Sequence, residues 1–276
     1  MKKALSVAGS DSSGGAGIQA DLKTFQELGV YGMTALTVIV AMNSHNNWSH
    51  QVFPVNLDIV KVQLKTVIMG IGINAMKTGM LPTTEIIELV AHTVKSHKIN
   101  NLVVDPVMVC KGAGEPLNPE SAECYKKTLI PLASVVTPNI FEASQLSGIS
   151  TIETIEDMKE AARIINDSGA KNVIIKGGKG ISSDFAIDVF FDGSTFEILE
   201  TAKIETAYTH GAGCTFSAAI TAELARGTDV HSAVKIAKNF VTEAIRNSFR
   251  LNQFVGTIDY SAYNEAKISP CFNRST

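Results

Sequence analysis

The sequence predicts an α/β fold with a mostly parallel sheet covered by helices on both faces. Three observations predict it. Short β-branched apolar runs recur along the 276 residues, and amphipathic stretches of helical spacing separate them. The segments rich in Gly, Lys, Asn or Cys each follow such a run. Strands buried on both faces read as continuous apolar runs, and alternating strand and helix signals give parallel pairing. In such a sheet, ligands collect at the carboxyl ends of the strands.

Residues 4–8 form the first strand, and Ile18, Leu22, Phe25 and Leu28 recur at helical spacing before Gly29 stops that helix. Residues 34–42 (TALTVIVAM) read as a strand, followed by a helix carrying Val60, Leu64 and Val67. A helix with Ile87, Val90 and Val94 on one face precedes a strand over 101–107. Residues 134–137 and 172–175 repeat the strand pattern, with a helix through Ile155, Met158, Ala162 and Ile165 between them. Around Asp192-Gly193-Ser194 the pattern becomes a hairpin within 185–204, and two helices follow over 212–226 and 230–248.

Composition bounds the rest. Hydrophobic residues at 45% and charged residues at 18% support a sizeable core and exclude a mainly disordered chain. No linker or repeat divides the sequence, so residues 1–276 read as one domain, with a polar tail over 259–276 expected to be loosely held. With 24 basic against 27 acidic residues the net charge is −3, which argues against nucleic acid or an anionic membrane as the main partner. The apolar stretch after Lys2-Lys3 ends at Gly9, too short for a signal peptide, and no run is long enough to span a membrane. None of the four cysteines lies in a C-x-x-C, so a reduced, cytoplasmic protein is expected.

Five segments carry chemistry. The first is Gly9-Ser10-Asp11-Ser12-Ser13-Gly14-Gly15-Ala16-Gly17. Its Gly15-x-Gly17-x-x-Ala20 fits a dinucleotide fingerprint, but no acid between Glu27 and Asp58 supplies the ribose contact that fingerprint needs. A tight turn that brings a ligand against the backbone is the better expectation. The second runs from Asp105-Pro106-Val107 through Cys110-Lys111-Gly112, expected to be a mobile lid loop in which Lys111 favours the Cys110 thiolate; an ordinary surface loop is the alternative. The third, Thr137-Pro138-Asn139-Ile140-Phe141-Glu142, places Asn139 and Glu142 three apart. Their oxygens suit Mg²⁺ or its waters, although the same spacing by itself favours a helix-capping box. The fourth, Lys176-Gly177-Gly178-Lys179-Gly180, puts two cations on a glycine turn suited to a polyphosphate, or merely solvated; the chain has no Walker-type motif. The fifth, Thr209-His210-Gly211-Ala212-Gly213-Cys214, opens a helix whose first N–H groups and dipole make an anion hole. Cys214 at that helix start, four residues after His210, is expected to favour its thiolate, with a plain buried thiol as the alternative.

Taken together, AGSDSSGGAGIQADLKTF, MKTGML, DPVMV, TPNIFEA, KGG and THGAGCTFSAAI resemble the ribokinase-like superfamily, and within it the hydroxymethylpyrimidine kinase branch that includes bacterial dual-cysteine pyridoxal kinases. The resemblance runs over about 4–248 and implies a ribokinase-like three-layer α/β/α sandwich with a small lid loop. It implies that Gly211, Ala212, Gly213 and Cys214 stabilise the transferring phosphoryl group. Asn139 and Glu142 would organise the ATP phosphates and Mg²⁺, with Glu142 as the metal residue. Residues 176–180, with Asp188 and Lys238, would line the ATP site, and Asp21, Met80, Asp105, Val107 and Lys111 the substrate site. His50 is a further candidate for the ring, with a solvated surface histidine as the alternative.

Most ribokinase-like sugar kinases carry G-A-G-D, and here Cys214 stands where that Asp would act as base, with His210 as a possible relay. Met42 stands where pyrimidine kinases usually have Gln, and Cys110 where they more often have Ala. Met cannot hydrogen-bond an aminopyrimidine, and a lid thiolate can capture an aldehyde as a hemithioacetal. The implied activity is ATP- and Mg²⁺-dependent phosphorylation of the hydroxymethyl group of B6 vitamers, pyridoxal foremost, in a homodimer. A hydroxymethylpyrimidine kinase is the runner-up. A non-catalytic B6 carrier and a cysteine hydrolase on Cys214 and His210 are rivals of other classes, and both leave the phosphate-binding segments unused.

Overall fold

The computed structural model describes residues 1–108, 120–178, 180–182 and 184–272. The lid segment with Cys110 and Lys111 lies outside the described residues, as does Lys179. In chain order the elements are β1 (Lys3–Asp11), α1 (Gly17–Glu27), β2 (Tyr31–Asn43), β3 (Ser49–Pro54), α2 (Leu57–Lys65) and β4 (Ala75–Thr78). Then come α3 (Thr84–Ser96), β5 (Leu102–Val104), α4 (Ser121–Thr128), β6 (Val135–Val136), α5 (Ile140–Ser147), α6 (Ile155–Asp167) and β7 (Val173–Lys176). The chain continues with β8 (Phe185–Phe191), β9 (Phe196–Ala202), α7 (Ala212–Arg226), α8 (Val230–Arg246), the short pair β10 (Phe249–Arg250) and β11 (Gly256–Thr257), and α9 (Ala262–Phe272).

Among the described residues the main sheet runs β3-β2-β1-β4-β5-β6-β7-β8-β9. Pairing is parallel from β2 through β7, and the antiparallel strands β3, β8 and β9 lie at its two ends. The middle strands feed two cores because successive side chains point to opposite faces. Leu102 and Val104 pack with Ile87, Val90 and Met158 on one side, while Val103 packs with Phe216, Ile220 and Phe240 on the other. Each such fully buried aliphatic or aromatic side chain contributes roughly 1.5–3 kcal/mol. The expected α/β/α layering with a mostly parallel sheet is therefore what the chain adopts.

Several boundaries differ from expectation, each for a physical reason. The strand expected over 101–107 ends at Val104, before Pro106, which has no N–H to give a neighbouring strand. The first strand continues through Asp11, so the glycine segment starts its turn later than the sequence suggests. Residues 49–54 form an antiparallel strand beside β2, which sets His50 opposite Met42 in the ladder rather than in a loop. β4 was not legible as a strand at all, because Lys77 interrupts four otherwise small or apolar positions; every one of them is buried. Of the tail over 259–276, expected to be loosely held, Tyr260 and Asn264 are tied to the body of the protein. The Tyr260 hydroxyl donates to the Gly15 carbonyl at 2.6 Å, Asn264 donates to the Glu27 carbonyl at 2.7 Å, and Ile258 is fully buried. No helix among the described residues is long and apolar enough to cross a membrane.

Candidate active site

The carboxyl ends of β1, β2, β4, β5 and β7, with the start of α7, enclose a cavity of about 500 Å³. Two ends of it differ in chemistry. One is cationic and lies at α7; the other is largely apolar and lies against the β2–β3 hairpin.

At the first end, Gly211 caps α7 in a left-handed conformation, φ +85°. A Cβ there would lie 1.8 Å from the Gly15 carbonyl oxygen, so only glycine allows the two loops to touch. Ala212 N–H donates to the Thr209 carbonyl and is not free, contrary to expectation. Gly213 and Cys214 keep the unpaired N–H groups of a first helical turn. Lys176, at the end of β7, brings its ammonium within 3.4 Å of where a Gly213 Cβ would stand. Its ammonium donates to Asp105 Oδ1 at 3.0 Å. Asp105 also accepts from Thr137 Oγ1 at 3.2 Å and from Ser217 Oγ at 3.0 Å, joining β5, β6, β7 and α7. Burial alone would lower the Lys176 pKa, but the carboxylates of Asp105 and Glu142 more than reverse this and hold it above its usual value.

Asn139 and Glu142 form the capping box their spacing allows. Asn139 Oδ1 accepts from Glu142 N–H and Glu142 Oε2 accepts from Asn139 N–H, both at 2.9 Å. Both also line the cavity, so capping and a ligand-facing position coincide. Burial pushes the Glu142 carboxyl up to about 7, against the opposing pull of Lys176.

Cys214 lines the cavity but does not have the favoured thiolate expected of it. Burial pushes its thiol up to about 11, with Lys77 the foremost influence in the other direction. The residue is half-buried, and the Gly17 N–H together with Lys77 pulls the other way without reversing the shift. The His210 imidazole is held at Nε2, 2.6 Å from Asp11 Oδ2. Burial would raise the Asp11 pKa, but bonds from His210 and Ser13 hold it below the usual carboxylate value.

At the second end, Val40, Met42, His50, Met80 and Val107 line the wall. Asp21, expected at the ring, is not among the wall residues; its carboxylate is fully buried against Lys77 and Ser6. Gly177, Gly178, Gly180, Ala212, Asp188 and Lys238 also lie off the cavity wall. Gly177 N–H is occupied by the Ile187 carbonyl and Asp188 Oδ1, so the turn does not present that group to a phosphate. Asp188 pairs with Lys238 at 2.7 Å behind it. Lys77, Asp11 and Gly79 lie in motifs the sequence marks but received no individual role there, and all three line the cavity. A lysine inside an apolar stretch directly before Gly79 was the available signal.

A cavity at the strand ends that gathers two lysines, three carboxylates and an open helix start is that of a ribokinase-like small-molecule kinase. The chain belongs to the phosphomethylpyrimidine kinase family, whose profile matches residues 11–259. It is 60% identical over 262 residues to the pyridoxine kinase of Bacillus subtilis (strain 168), covering 95% of this chain and 97% of that one. Its fold matches the pyridoxal kinase from Staphylococcus aureus in complex with AMP-PCP and pyridoxal, with a TM-score of 0.91 and 52% identity, covering 96% of this chain and 95% of that one. Identity to the hydroxymethylpyrimidine/phosphomethylpyrimidine kinase of Bacillus subtilis (strain 168) is 42% over 267 residues, covering 97% of each chain. The resemblance read from the motifs is borne out.

Proposed function

We propose that this chain is an ATP-dependent kinase that phosphorylates the hydroxymethyl group of B6 vitamers, pyridoxal foremost, with hydroxymethylpyrimidine as a lesser substrate. One observation carries this reading: a single cavity joins a cationic, open helix start to an apolar wall on which Met42 stands opposite His50. The higher identity to the pyridoxine kinase than to the pyrimidine kinase, 60% against 42%, supports the same choice.

In the reaction, the Cys214 thiolate accepts the proton of the substrate hydroxyl as that oxygen bonds to the γ-phosphorus. The bond from phosphorus to the ADP oxygen breaks, and its electron pair leaves with ADP. Gly213 and Cys214 N–H groups and the Lys176 ammonium neutralise charge on the transferring group, which is where most catalysis of phosphoryl transfer resides. Asp105 keeps that ammonium in place.

Mg²⁺ fits the residues present. No group of three His, Cys, Asp or Glu gathers among the described residues, so a closed protein cage for the ion is missing there. Glu142 lines the cavity, and its carboxylate is oriented there by the Asn139 and Met108 backbone N–H groups. One carboxylate plus phosphates and waters is the usual Mg²⁺ arrangement. Glu142 and the nucleotide would hold the ion, which would supply charge neutralisation on the phosphates.

Cys110 belongs to the same reading as the thiol that captures the pyridoxal aldehyde; Cys110→Ala then harms turnover of pyridoxal more than of pyridoxine. A cytoplasmic homodimer is also part of it. Exposed Ile39, Phe53, Ile59 and Val62, on mutually packed β2, β3 and α2, support the dimer. Light scattering at a dimer mass tests it. The decisive assay is vitamer-dependent ADP formation at equal concentrations of pyridoxal, pyridoxine and hydroxymethylpyrimidine. Pyridoxal should show the highest kcat/KM, and a higher value for the pyrimidine overturns the assignment.

A further inference from the structure

Below the cavity, β4 and α1 bury a complete ion pair. Lys77 Nζ donates to Asp21 Oδ1 at 2.8 Å, and both side chains are wholly shielded from solvent. Ser6 Oγ donates to the other carboxylate oxygen at 2.5 Å, so Asp21 is fixed at both oxygens. Among the described residues this is the one hydrogen bond of the Lys77 ammonium, which leaves donors over. Lys77 and Cys214 line the same cavity. An ion pair of this kind is a poor way to gain stability, since apolar residues of equal volume often do as well. In a low-dielectric interior, however, a fixed cation acts strongly on any charge that forms nearby.

We propose that Lys77, anchored by Asp21, is a positioning residue that keeps a permanent positive charge beside Cys214 and so allows the thiolate to form there. The claim rests on the reading of Cys214 as the base. Lys77 on β4 and Cys214 at the start of α7 line one cavity, and α7 packs on β4. The other charged or titratable groups that act on the sulfur are Asp21 on α1, Asp105 after β5, Lys176 on β7 and Tyr260 in the tail, and the Gly17 N–H bonds to it. Asp21 and Asp105 oppose the thiolate, while Lys77 favours it and remains protonated because those same acids surround it. Lys176 is held at Asp105, over Gly213, where the phosphoryl group arrives. Lys77 is thus the cation left for the sulfur, and Asp21 keeps it from following the phosphates.

The test compares the wild type with K77M/D21N, which removes the charge without stranding the acid, and with K77R, which keeps it. Alkylation of Cys214 by iodoacetamide, read on its own peptide by mass spectrometry, is followed from about pH 6 to 11, where thiols titrate. In K77M/D21N the alkylation profile should move to higher pH, and kcat near neutrality should fall at least about tenfold with the KM for ATP little changed. K77R should restore both. If the methionine pair does not fold, K77Q/D21N gives the same comparison. A folded charge-free variant whose Cys214 alkylates as in the wild type overturns the proposal. If the profile moves but Cys214→Ala still turns over normally, the Lys77 effect on the sulfur stands and the reading of Cys214 as base fails instead.

Discussion

Two buried lysine–aspartate pairs of nearly equal length do different work. Lys77–Asp21 spans 2.8 Å with both side chains at 0% exposure, and Lys238–Asp188 spans 2.7 Å with both at 10%. The second pair is bonded further within the protein: Lys238 also donates to the Ala186 carbonyl, and Asp188 also accepts from Gly177 N–H. It braces the turn after β7 and stays off the cavity wall. Among the described residues, Lys77 of the first pair has donors left over and lines that wall, while Asp21 lies behind it. What a buried ion pair contributes is decided by where its remaining hydrogen-bonding capacity goes, rather than by its length.

The comparison breaks most sharply at the sulfur. Cys214→Ala should reduce kcat for pyridoxal by about 10²–10⁴, measured as vitamer-dependent ADP formation, because it removes the general base. Undiminished turnover would leave Lys77 with nothing to act on. At the other pair, Lys238→Met strands Asp188 and should cost about 3 kcal/mol in urea denaturation, as broken buried pairs do. Turnover per folded molecule should fall less than in K77M/D21N; the reverse order would erase the distinction between the two pairs.

Glu142 sharpens the contrast through pH. Its folded value of about 7 lies above the 4.5 of a free glutamate, so the fold favours the protonated acid. That contribution is complete below about pH 4.5 and is lost as pH rises through about 7. Glu142→Gln should therefore flatten the decline of Tm between those values, by an amount on the order of 1–3 kcal/mol. In the wild type, the KM for MgATP should rise as the pH drops below about 7, when the residue proposed to meet the ion is neutralised. The smallest effect is at the ring end. Met42→Gln should shift the ratio of hydroxymethylpyrimidine to pyridoxal turnover by about tenfold toward the pyrimidine, since a hydrogen-bonding partner is restored. An unchanged ratio would remove Met42 from specificity.

Much of the fold was legible because its strands are long apolar runs and its helices have clear apolar faces. The 212–226 helix is read without error, since glycines bound it on both sides. β4 was hidden by the very residue that matters in it: a lysine reads as surface unless its partner is known, and Asp21 is 56 residues away. The motif residues converge as expected at Cys214, Lys176, Asn139 and Glu142. Their electrostatics did not follow from spacing. Proximity to a helix start and to His210 suggested an acidic thiol, whereas depth of burial, which sequence does not state, sets the opposite direction. Asp188 and Lys238, expected at the ATP site, pair with each other behind the turn after β7, a contact that their separation of 50 residues does not announce.

The bond from Tyr260 to the Gly15 carbonyl ties residues 245 positions apart across the loop that Gly211 touches. A nascent chain therefore holds nearly all of its sheet before the phenol that steadies the glycine loop has left the ribosome. Competence arrives late in synthesis, and proteolytic clipping anywhere before residue 260 would loosen the pocket from the far end of the chain while sparing most of the scaffold.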